Sequence, residues 1–309
     1  MDKSSKIFIA GRNGLVGSSI ERKFREKGFS NIIGLQSSEL DLRRQADVER
    51  YFNTEQPDYV ILAAAKVGGI MANIQAPAEF IYDNLAIQSN VIHSSYQNNV
   101  KKLLFMASSC VYPRLAPQPM KEDYLMDGKV EPTNEGYAIA KIAGLKMCQM
   151  YNRQYGTNFI SVMPCNIYGV GDNFDSDKSH VVAGLIRKFH EAKIENKNYV
   201  EVWGTGNARR ELMFSDDLAD ACMYLFEHYS GNEFFNVGTG KDVTVRELAE
   251  IVRKTVGFQG QIKYDITKPD GMPQKLLDVS KLNEAGWTYR TDLEQGISIT
   301  YKWFLEHYN

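Results

Sequence analysis

The stretch Lys6-Ile7-Phe8-Ile9-Ala10-Gly11-Arg12-Asn13-Gly14-Leu15-Val16-Gly17 decides the fold. An apolar run typical of a buried strand leads into three glycines spaced GxxGxxG, and the amphipathic pattern of 18–27 then predicts a helix. A second strand is predicted at 31–35, which completes a βαβ unit. Glycines between a strand and a helix let the backbone approach a pyrophosphate, although they also mark ordinary tight turns. The stretch therefore predicts a dinucleotide site.

The same alternation of strands and helices continues along the chain. Further strands are predicted at 59–64, 102–107 and 160–164, and helices at 46–54, 78–98, 135–155, 181–193, 216–228, 245–256 and 293–308. Strands joined by helices form a parallel, doubly wound sheet. The predicted fold class is α/β, with a Rossmann-type domain over 1–168 and a smaller C-terminal α/β substrate lobe over 169–309. This prediction allows some segments of 169–309 to pack as part of the Rossmann-type domain.

Composition argues against several classes of protein. The 309 residues hold 36 Lys and Arg against 38 Asp and Glu, so the net charge of −2 provides no field to hold a nucleic acid. The longest apolar run, 60–65, is too short to span a bilayer, and no signal core precedes Ile7. We therefore expect a cytoplasmic protein without a nucleic-acid or membrane partner. The four cysteines never approach CxxC spacing, which predicts no metal site and no disulfide framework.

Tyr137 and Lys141 lie four residues apart, so their side chains share one face of the predicted helix 135–155. An adjacent ammonium lowers the pKa of a tyrosine, which lets the hydroxyl exchange a proton with a substrate oxygen. This spacing also occurs by chance in many helices. Ser108 strengthens the interpretation because it follows a predicted strand, at the carboxyl edge where ligands of such sheets bind.

Together these features resemble the extended short-chain dehydrogenase/reductases. Within them, six runs resemble the GDP-L-fucose synthase family: 62–70, 108–113, 131–135, 137–144, 151–156 and 275–279. The resemblance spans nearly the whole chain. It implies a homodimer that converts GDP-4-keto-6-deoxy-mannose to GDP-L-fucose, by epimerisation at C3 and C5 followed by NADPH reduction at C4.

The resemblance also implies roles for individual residues. Loss of a proton from C3 or C5 places negative charge on the C4 oxygen, which Ser108 and Tyr137 would stabilise. Cys110 and His180 are implied as the base and acid of the epimerisation, and both types of side chain titrate near neutral pH. Without the resemblance, Cys110 is explained as a small buried hydrophobe and His180 as the start of a helix. Tyr137 would later protonate O4, with Lys141 lowering its pKa.

The cofactor is expected to be NADP(H). No acidic side chain follows the second strand to hold the ribose hydroxyls of NAD, whereas Arg12 with Ser37 and Ser38 can hold a 2′-phosphate. The cofactor contacts, several of them implied by the resemblance, are Gly11, Arg12, Asn13, Gly14, Leu15, Val16, Gly17, Asp41, Leu42, Ala63, Ala64, Ala65, Lys141, Pro164, Cys165, Asn166, Ile167 and His180.

A nucleotide sugar needs cations for its diphosphate and a platform for its base. Trp203 and Arg210 offer an aromatic plane and a guanidinium that can pair with phosphate in a bidentate manner. The resemblance adds Ser109, Arg187, Lys188 and Asp270 as substrate contacts. Lys188 is a departure from the family, which usually has a second arginine there.

Three alternatives remain. Related enzymes reduce C4 of GDP-4-keto-6-deoxy-heptoses for capsular polysaccharide, with or without epimerisation, although Cys110 and His180 favour an epimerising member. The second alternative is a 4,6-dehydratase or a UDP-sugar 4-epimerase; dehydratases carry an Asp-Glu pair where this chain has Ser109 and Cys110. The third is a non-catalytic dinucleotide sensor, which would lack Tyr137 and Lys141.

Overall fold

The computed structural model describes residues 1–175, 179–268 and 270–308. The strands are β1 (Ile7–Ala10), β2 (Ile32–Ile33), β3 (Tyr59–Leu62), β4 (Lys102–Met106), β5 (Phe159–Pro164), β6 (Asn166–Tyr168), β7 (Tyr199–Trp203), β8 (Arg209–Phe214), β9 (Phe235–Val237), β10 (Asp242–Thr244), β11 (Gln261–Asp265) and β12 (Gln274–Lys275). The helices are α1 (Leu15–Glu26), α2 (Gln45–Glu55), α3 (Ile70–Gln75), α4 (Pro77–Gln97), α5 (Glu135–Tyr155), α6 (Val181–Ile194), α7 (Ser215–His228), α8 (Val245–Val256), α9 (Ser280–Glu284) and α10 (Leu293–His307).

Six parallel strands form the main sheet in the order β2-β1-β3-β4-β5-β9. Because helices cover both faces of such a sheet, its strands are continuous apolar runs rather than alternating ones. Strands β1, β4 and β5 are buried along their whole length. The order reverses between β1 and β3, which is where ligands of doubly wound sheets bind. The α/β fold class predicted from the sequence is confirmed.

The last strand of this sheet comes from a distant part of the chain. In β9, Phe235 pairs with Val162 and Val237 with Pro164 of β5. Helix α7 packs against α1, a helix of the first domain: the centre of the Phe226 ring lies 6.0 Å from the centre of the Phe24 ring. We therefore propose that the second lobe begins at residue 169 but sends α7 and β9 back to the first domain.

The second lobe is built around β8. Within the lobe this strand pairs with β12 in parallel and with β10 in the antiparallel sense, and it also pairs in parallel with β6, which ends just before residue 169. Strands β7 and β11 form a separate parallel pair. Helices α6, α8 and α10 bury an apolar core that includes Phe189, Val252 and Phe304.

The predicted helices agree with the structure to within one residue at each end, except at the start of α1. Helix α1 begins at Leu15 rather than at 18, because Gly14 already adopts the cap position and Gly17 packs inside the first turn. The long helix is preceded by a separate short helix, α3, which the sequence analysis missed; Pro77 starts α4 because proline fits the first turn of a helix. No helix among the described residues has the length and apolar character needed to cross a membrane.

Candidate active site

The glycine turn packs directly against the segment that follows β3. Gly11 has a φ of +86°, and a Cβ at this position would lie 2.7 Å from the Ala64 nitrogen. A Cβ at Gly17 would lie 2.0 Å from the Gly11 carbonyl oxygen. Gly14 caps α1 without a side chain, and the first turn holds no acidic residue. The positive end of α1 is thus open to an anion, which fits the pyrophosphate of a dinucleotide.

Arg12 belongs to the glycine turn, and its guanidinium reaches the end of β2, where Rossmann sites hold the adenosine ribose. Its Nη1 donates to the Gly34 carbonyl at 3.4 Å, and its Nε and Nη2 donate to the Glu21 carboxylate at 2.8 and 2.5 Å. A 2′-phosphate at this point would share the guanidinium with Glu21. Of the other predicted cofactor contacts, Asp41 accepts hydrogen bonds from Arg43, and Leu42 packs against the core.

The predicted catalytic hydroxyls meet at the carboxyl edge of β4. Ser108 caps the short 3₁₀ turn Ser109–Val111, in which the Cys110 nitrogen donates to the Ser108 hydroxyl oxygen at 3.3 Å. Tyr137 stands in the first turn of α5, and its phenol lies close enough to the Ser108 hydroxyl for that hydroxyl to influence the pKa of Tyr137. The two hydroxyls are therefore neighbours at this edge of the sheet.

The expected effect of Lys141 on Tyr137 is wrong for this structure. Burial raises the pKa of Tyr137, and the charge of Cys110 raises it further. The Lys141 ammonium donates to the Met106 carbonyl at 2.8 Å and lies 5.9 Å from the centre of the Tyr137 ring. Burial lowers the pKa of Lys141 itself to about 7. Sharing a helix face brings the two groups near each other, but burial penalises both charged forms.

Cys110 has a cation beside it. The Lys275 Nζ lies 3.1 Å from the Cys110 sulfur. Burial opposes ionisation of this thiol, but Lys275 and hydrogen bonds with Ser108 and Asn134 outweigh it, so the pKa of Cys110 lies below its ordinary value. A half-buried thiol whose ionisation a neighbouring ammonium favours is suited to remove a proton from carbon. The other three cysteines are buried, and burial raises the pKa of each.

The predicted segment from Pro164 to Ile167 joins β5 to β6. The Cys165 nitrogen donates to the Val237 carbonyl at 3.0 Å, which ties the segment to β9. Burial raises the pKa of the Cys165 thiol well above its ordinary value, so a contact with a cofactor would come from this segment's backbone rather than from the thiol.

His180 is exposed at the N-cap of α6 and has a buried carboxylate as an electrostatic neighbour. Asp172 is 4% exposed; its Oδ1 accepts from the Asn173 nitrogen, and its Oδ2 has no hydrogen-bond partner among the described residues. Burial raises the pKa of Asp172 to about 6, against the opposing influence of His180. The carboxylate can therefore bias the orientation of this imidazole.

The predicted substrate contacts divide into two groups. The Trp203 indole is about half exposed, and the ammonium groups of Lys188 and Lys268 lie 5.3 and 5.5 Å from its ring centre. Arg210 donates to the carbonyls of Met272 and Asp270 at 2.6 and 2.9 Å, while the Asp270 carboxylate accepts from Thr205. The loop around 270 is thus held near a guanidinium that can also face a diphosphate.

Of the two other predicted substrate contacts, Arg187 is bonded within α6 and to the loop before it, whereas Ser109 lies beside Ser108. Arg187 donates to Glu191 at 2.6 Å and to the Phe174 carbonyl at 2.9 Å, along α6 and the loop before it. Ser109 is buried at the start of the 3₁₀ turn beside Ser108.

Sequence reasoning missed four residues near the site. Asn134 and Lys275 lie within runs that carried the family resemblance, but no spacing rule connects either of them with Cys110. Nothing in the sequence distinguishes Asp172 and Glu211 from other acidic residues, which are ordinarily exposed to solvent. Only their burial in the structure singles them out.

Known proteins are similar to this chain over nearly its whole length. A model of the NAD dependent epimerase/dehydratase family matches residues 7–238. GDP-L-fucose synthase 1 of Arabidopsis thaliana is 57% identical over 99% of this chain and 95% of its own length. The structure of a GDP-6-OMe-4-keto-L-xylo-heptose reductase from C. jejuni matches with a TM-score of 0.95 and 39% identity over 99% of both chains. A GDP-L-fucose synthetase from Naegleria fowleri bound to NADP gives 0.92 and 27%, over 100% of this chain and 96% of that one. The chain belongs to the NAD dependent epimerase/dehydratase family and, within it, to the GDP-L-fucose synthases.

Proposed function

We propose that this chain is an NADPH-dependent 3,5-epimerase/4-reductase acting on a GDP-4-keto-6-deoxy sugar, of the GDP-L-fucose synthase type. One observation carries the proposal: two hydroxyl donors, Ser108 and Tyr137, meet beside a thiol that Lys275 favours as a thiolate. The donors suit a carbonyl oxygen, and the thiolate suits the acidic C–H bonds next to that carbonyl. The enzyme is an oxidoreductase with epimerase activity.

Epimerisation uses the donors and the thiolate together. Cys110 removes the proton from C3 or C5, and the negative charge that forms on the C4 oxygen is stabilised by Ser108 and Tyr137. Return of a proton to the opposite face inverts the centre, and His180 is proposed to supply it. The Cys110 thiolate is available because Lys275 lowers its pKa below the ordinary value.

Reduction uses the same oxygen site. Bound NADPH would supply a hydride to C4. Tyr137 then donates its proton to O4, while the neighbouring Ser108 hydroxyl donates a hydrogen bond to the same oxygen. A phenol with a raised pKa stays protonated at neutral pH, so Tyr137 is ready to act as an acid at this step.

The residues at the first turn fit NADP(H). The glycine turn and the start of α1 would hold the pyrophosphate, and the Arg12 guanidinium at the end of β2 would hold the 2′-phosphate. Ala63 to Ala65 and Pro164 to Ile167, which follow neighbouring strands, are proposed to border the ribose and nicotinamide. On the sugar side, Trp203 with Lys188 and Arg210 near Asp270 are proposed to hold the GDP moiety.

The function is tested by incubating the chain with NADPH and GDP-4-keto-6-deoxy-mannose in D₂O. Both inversions are expected to place deuterium at C3 and C5 of the product, with oxidation of one NADPH per sugar. Oxidation of NADPH without deuterium at either carbon would mean that the chain is a C4 reductase without epimerase activity. Binding of NADPH without any turnover would indicate a dinucleotide sensor.

A C4 reductase of a GDP-4-keto-6-deoxy-heptose is the second candidate. The close structural match to a C. jejuni heptose reductase favours it. Hexose and heptose substrates differ only at the end of the sugar, so parallel kcat/KM measurements on both distinguish the candidates. We expect the hexose to be preferred.

We further propose a homodimer formed through α4 and α5. These two long helices expose several large apolar side chains: Tyr82, Ile139, Met150 and Tyr155. An apolar surface on paired helices is typical of an interface between subunits. Tyr82→Asp combined with Met150→Asp should yield monomers in analytical ultracentrifugation, whereas Ile194→Asp, on an exposed apolar residue of α6, should not.

A further inference from the structure

Glu211 is a buried carboxylate to which the mechanism above gives no role. It is 1% exposed, and both of its oxygens accept from backbone N–H groups: Oε1 from Gly240 and Oε2 from Leu277, each at 2.8 Å. The backbone of Thr239 adds a third bond. A Cβ at Gly238 would lie 2.1 Å from Oε1, so this glycine leaves the space that the carboxylate fills. Both carboxylate oxygens act as acceptors for this set of donors, which offsets part of the burial that raises the pKa of Glu211 to about 7.

The bond to Leu277 extends the attachment of β12 to β8. Backbone pairing between the two strands covers only Gln274 and Lys275, opposite Arg209 and Arg210. Two residues further along, the Glu211 side chain holds the Leu277 nitrogen on the β8 side. The loop after β4 holds the other side of residues 276–278. The Leu276 nitrogen donates to the Gln118 side-chain oxygen, and the Asp278 nitrogen donates to the Met120 carbonyl.

Lys275 lies two residues before Leu277, and its ammonium reaches the Cys110 sulfur at 3.1 Å. We propose that Glu211 is a positioning residue for the epimerase base: by fixing Leu277 against β8 it keeps the Lys275 ammonium beside the Cys110 thiol. The inference rests on the proposed function of Cys110 as the base. Glu211 itself touches neither the thiol nor the ammonium, so it acts through the backbone of β12.

A glutamine at this position tests the link. The amide keeps one acceptor oxygen but turns its NH₂ group toward a backbone N–H, so at least one of the bonds becomes a clash of donors. The segment around Leu277 is then no longer held on the β8 side, and Lys275 moves away from the thiol. The pKa of Cys110 rises, and a smaller fraction of thiolate is present at neutral pH.

The experiment measures the rate at which iodoacetamide alkylates Cys110 as a function of pH, with the modified residue identified by peptide mass. The other three cysteines are buried, which favours modification of Cys110. Glu211→Gln is expected to lower the rate at pH 7 about tenfold, as a rise of one unit in the thiol pKa would. Lys275→Met should have the same effect, and the double variant should be no slower than Lys275→Met alone.

Glu247→Gln is the matched control. Glu247 also accepts from backbone, at the Thr244 nitrogen that starts α8, but it lies outside the catalytic cluster. This variant should lose stability without changing the alkylation curve of Cys110. If Glu211→Gln does not fold, Gly238→Ala displaces the carboxylate by adding the missing Cβ and should give the same slowing.

A folded Glu211→Gln or Gly238→Ala protein with the wild-type alkylation curve would overturn the proposal, as would additive effects in the double variant. The readout needs neither the sugar nor NADPH. Failure of the chain to convert a GDP-4-keto sugar would therefore count against the proposed function alone, while the alkylation curves still decide the role of Glu211.

Discussion

The Lys275 ammonium lies 3.1 Å from the Cys110 sulfur, although the two residues are 165 positions apart in the chain. Cys110 stands in the turn after β4, and Lys275 ends β12 of the second lobe. The proposed base is therefore assembled from both parts of the molecule. Ionisation of its thiol is favoured by a residue that the second lobe provides.

Replacing Lys275 with methionine is expected to slow epimerisation. Loss of the ammonium raises the pKa of Cys110, and C–H exchange in D₂O should fall about 10- to 100-fold at pH 7, with the loss reduced at higher pH. Lys254→Met, on an exposed residue of α8, should leave the exchange rate unchanged. An unchanged rate in Lys275→Met would contradict the pairing.

Tyr137→Phe and Cys110→Ser should separate the two half-reactions. Loss of the phenol removes the proposed acid for O4, so NADPH oxidation is expected to fall by about 10²–10³, the usual effect of losing a donor at such an oxygen. Cys110→Ser should chiefly abolish deuterium incorporation. Mass spectrometry of the sugar and NADPH absorbance measure the two steps in the same sample, and equal losses in both steps for both variants would refute the division of roles.

Lys141→Met should make the cofactor-free protein more stable while it removes activity. Burial lowers the pKa of Lys141 to about 7, so the unfolded chain holds a proton that the folded chain releases between about pH 7 and 10.5. Stability from this group therefore increases with pH across that window, and the cost is fully present below pH 7. At pH 7 the variant should gain roughly 3 kcal/mol in urea unfolding, because the lost hydrogen bond to Met106 offsets part of a larger gain. The difference between the proteins should shrink toward pH 10.

Asp172→Asn should also separate stability from function. Burial raises the pKa of Asp172 to about 6, so between about pH 4 and 6 the folded chain holds a proton that the unfolded chain has released. Stability from this group is lost as the pH rises through that range, at a cost of up to roughly 3 kcal/mol. The variant should therefore melt at a higher temperature than wild type at pH 7 and at the same temperature below pH 4. Its exchange rate should fall because His180 loses a charged neighbour, whereas Asp127→Asn in an exposed loop should change neither property.

Arg12→Ala tests the preference for NADPH. Removing the guanidinium at the end of β2 should raise the KM for NADPH at least tenfold and change that for NADH much less, because only NADPH carries the 2′-phosphate. Steady-state kinetics with both cofactors provides the comparison. An equal increase in the KM for NADPH and for NADH would indicate that Arg12 acts through the glycine turn rather than through the 2′-phosphate.

Local patterns account for what the sequence alone could predict. The glycine turn, the bounds of α5 and the meeting of Ser108 with Tyr137 follow from residues close in sequence or from the rule that strand ends share an edge. The pairing of Cys110 with Lys275 depends on how β12 lies against β8, and no periodicity encodes that contact. The prediction of a lowered pKa for Tyr137 is wrong for a related reason. Spacing shows which groups are neighbours, but the cost of desolvation depends on everything packed around them.

The position of β9 has a consequence for how the chain is made. Until residue 237 leaves the ribosome, β5 has no neighbour on its outer side, and a row of free amide and carbonyl groups is presented to other nascent chains. The domain that contains the main sheet therefore cannot complete its fold before β9 has been translated. Premature termination anywhere between residues 165 and 234 should yield insoluble fragments rather than a small stable domain.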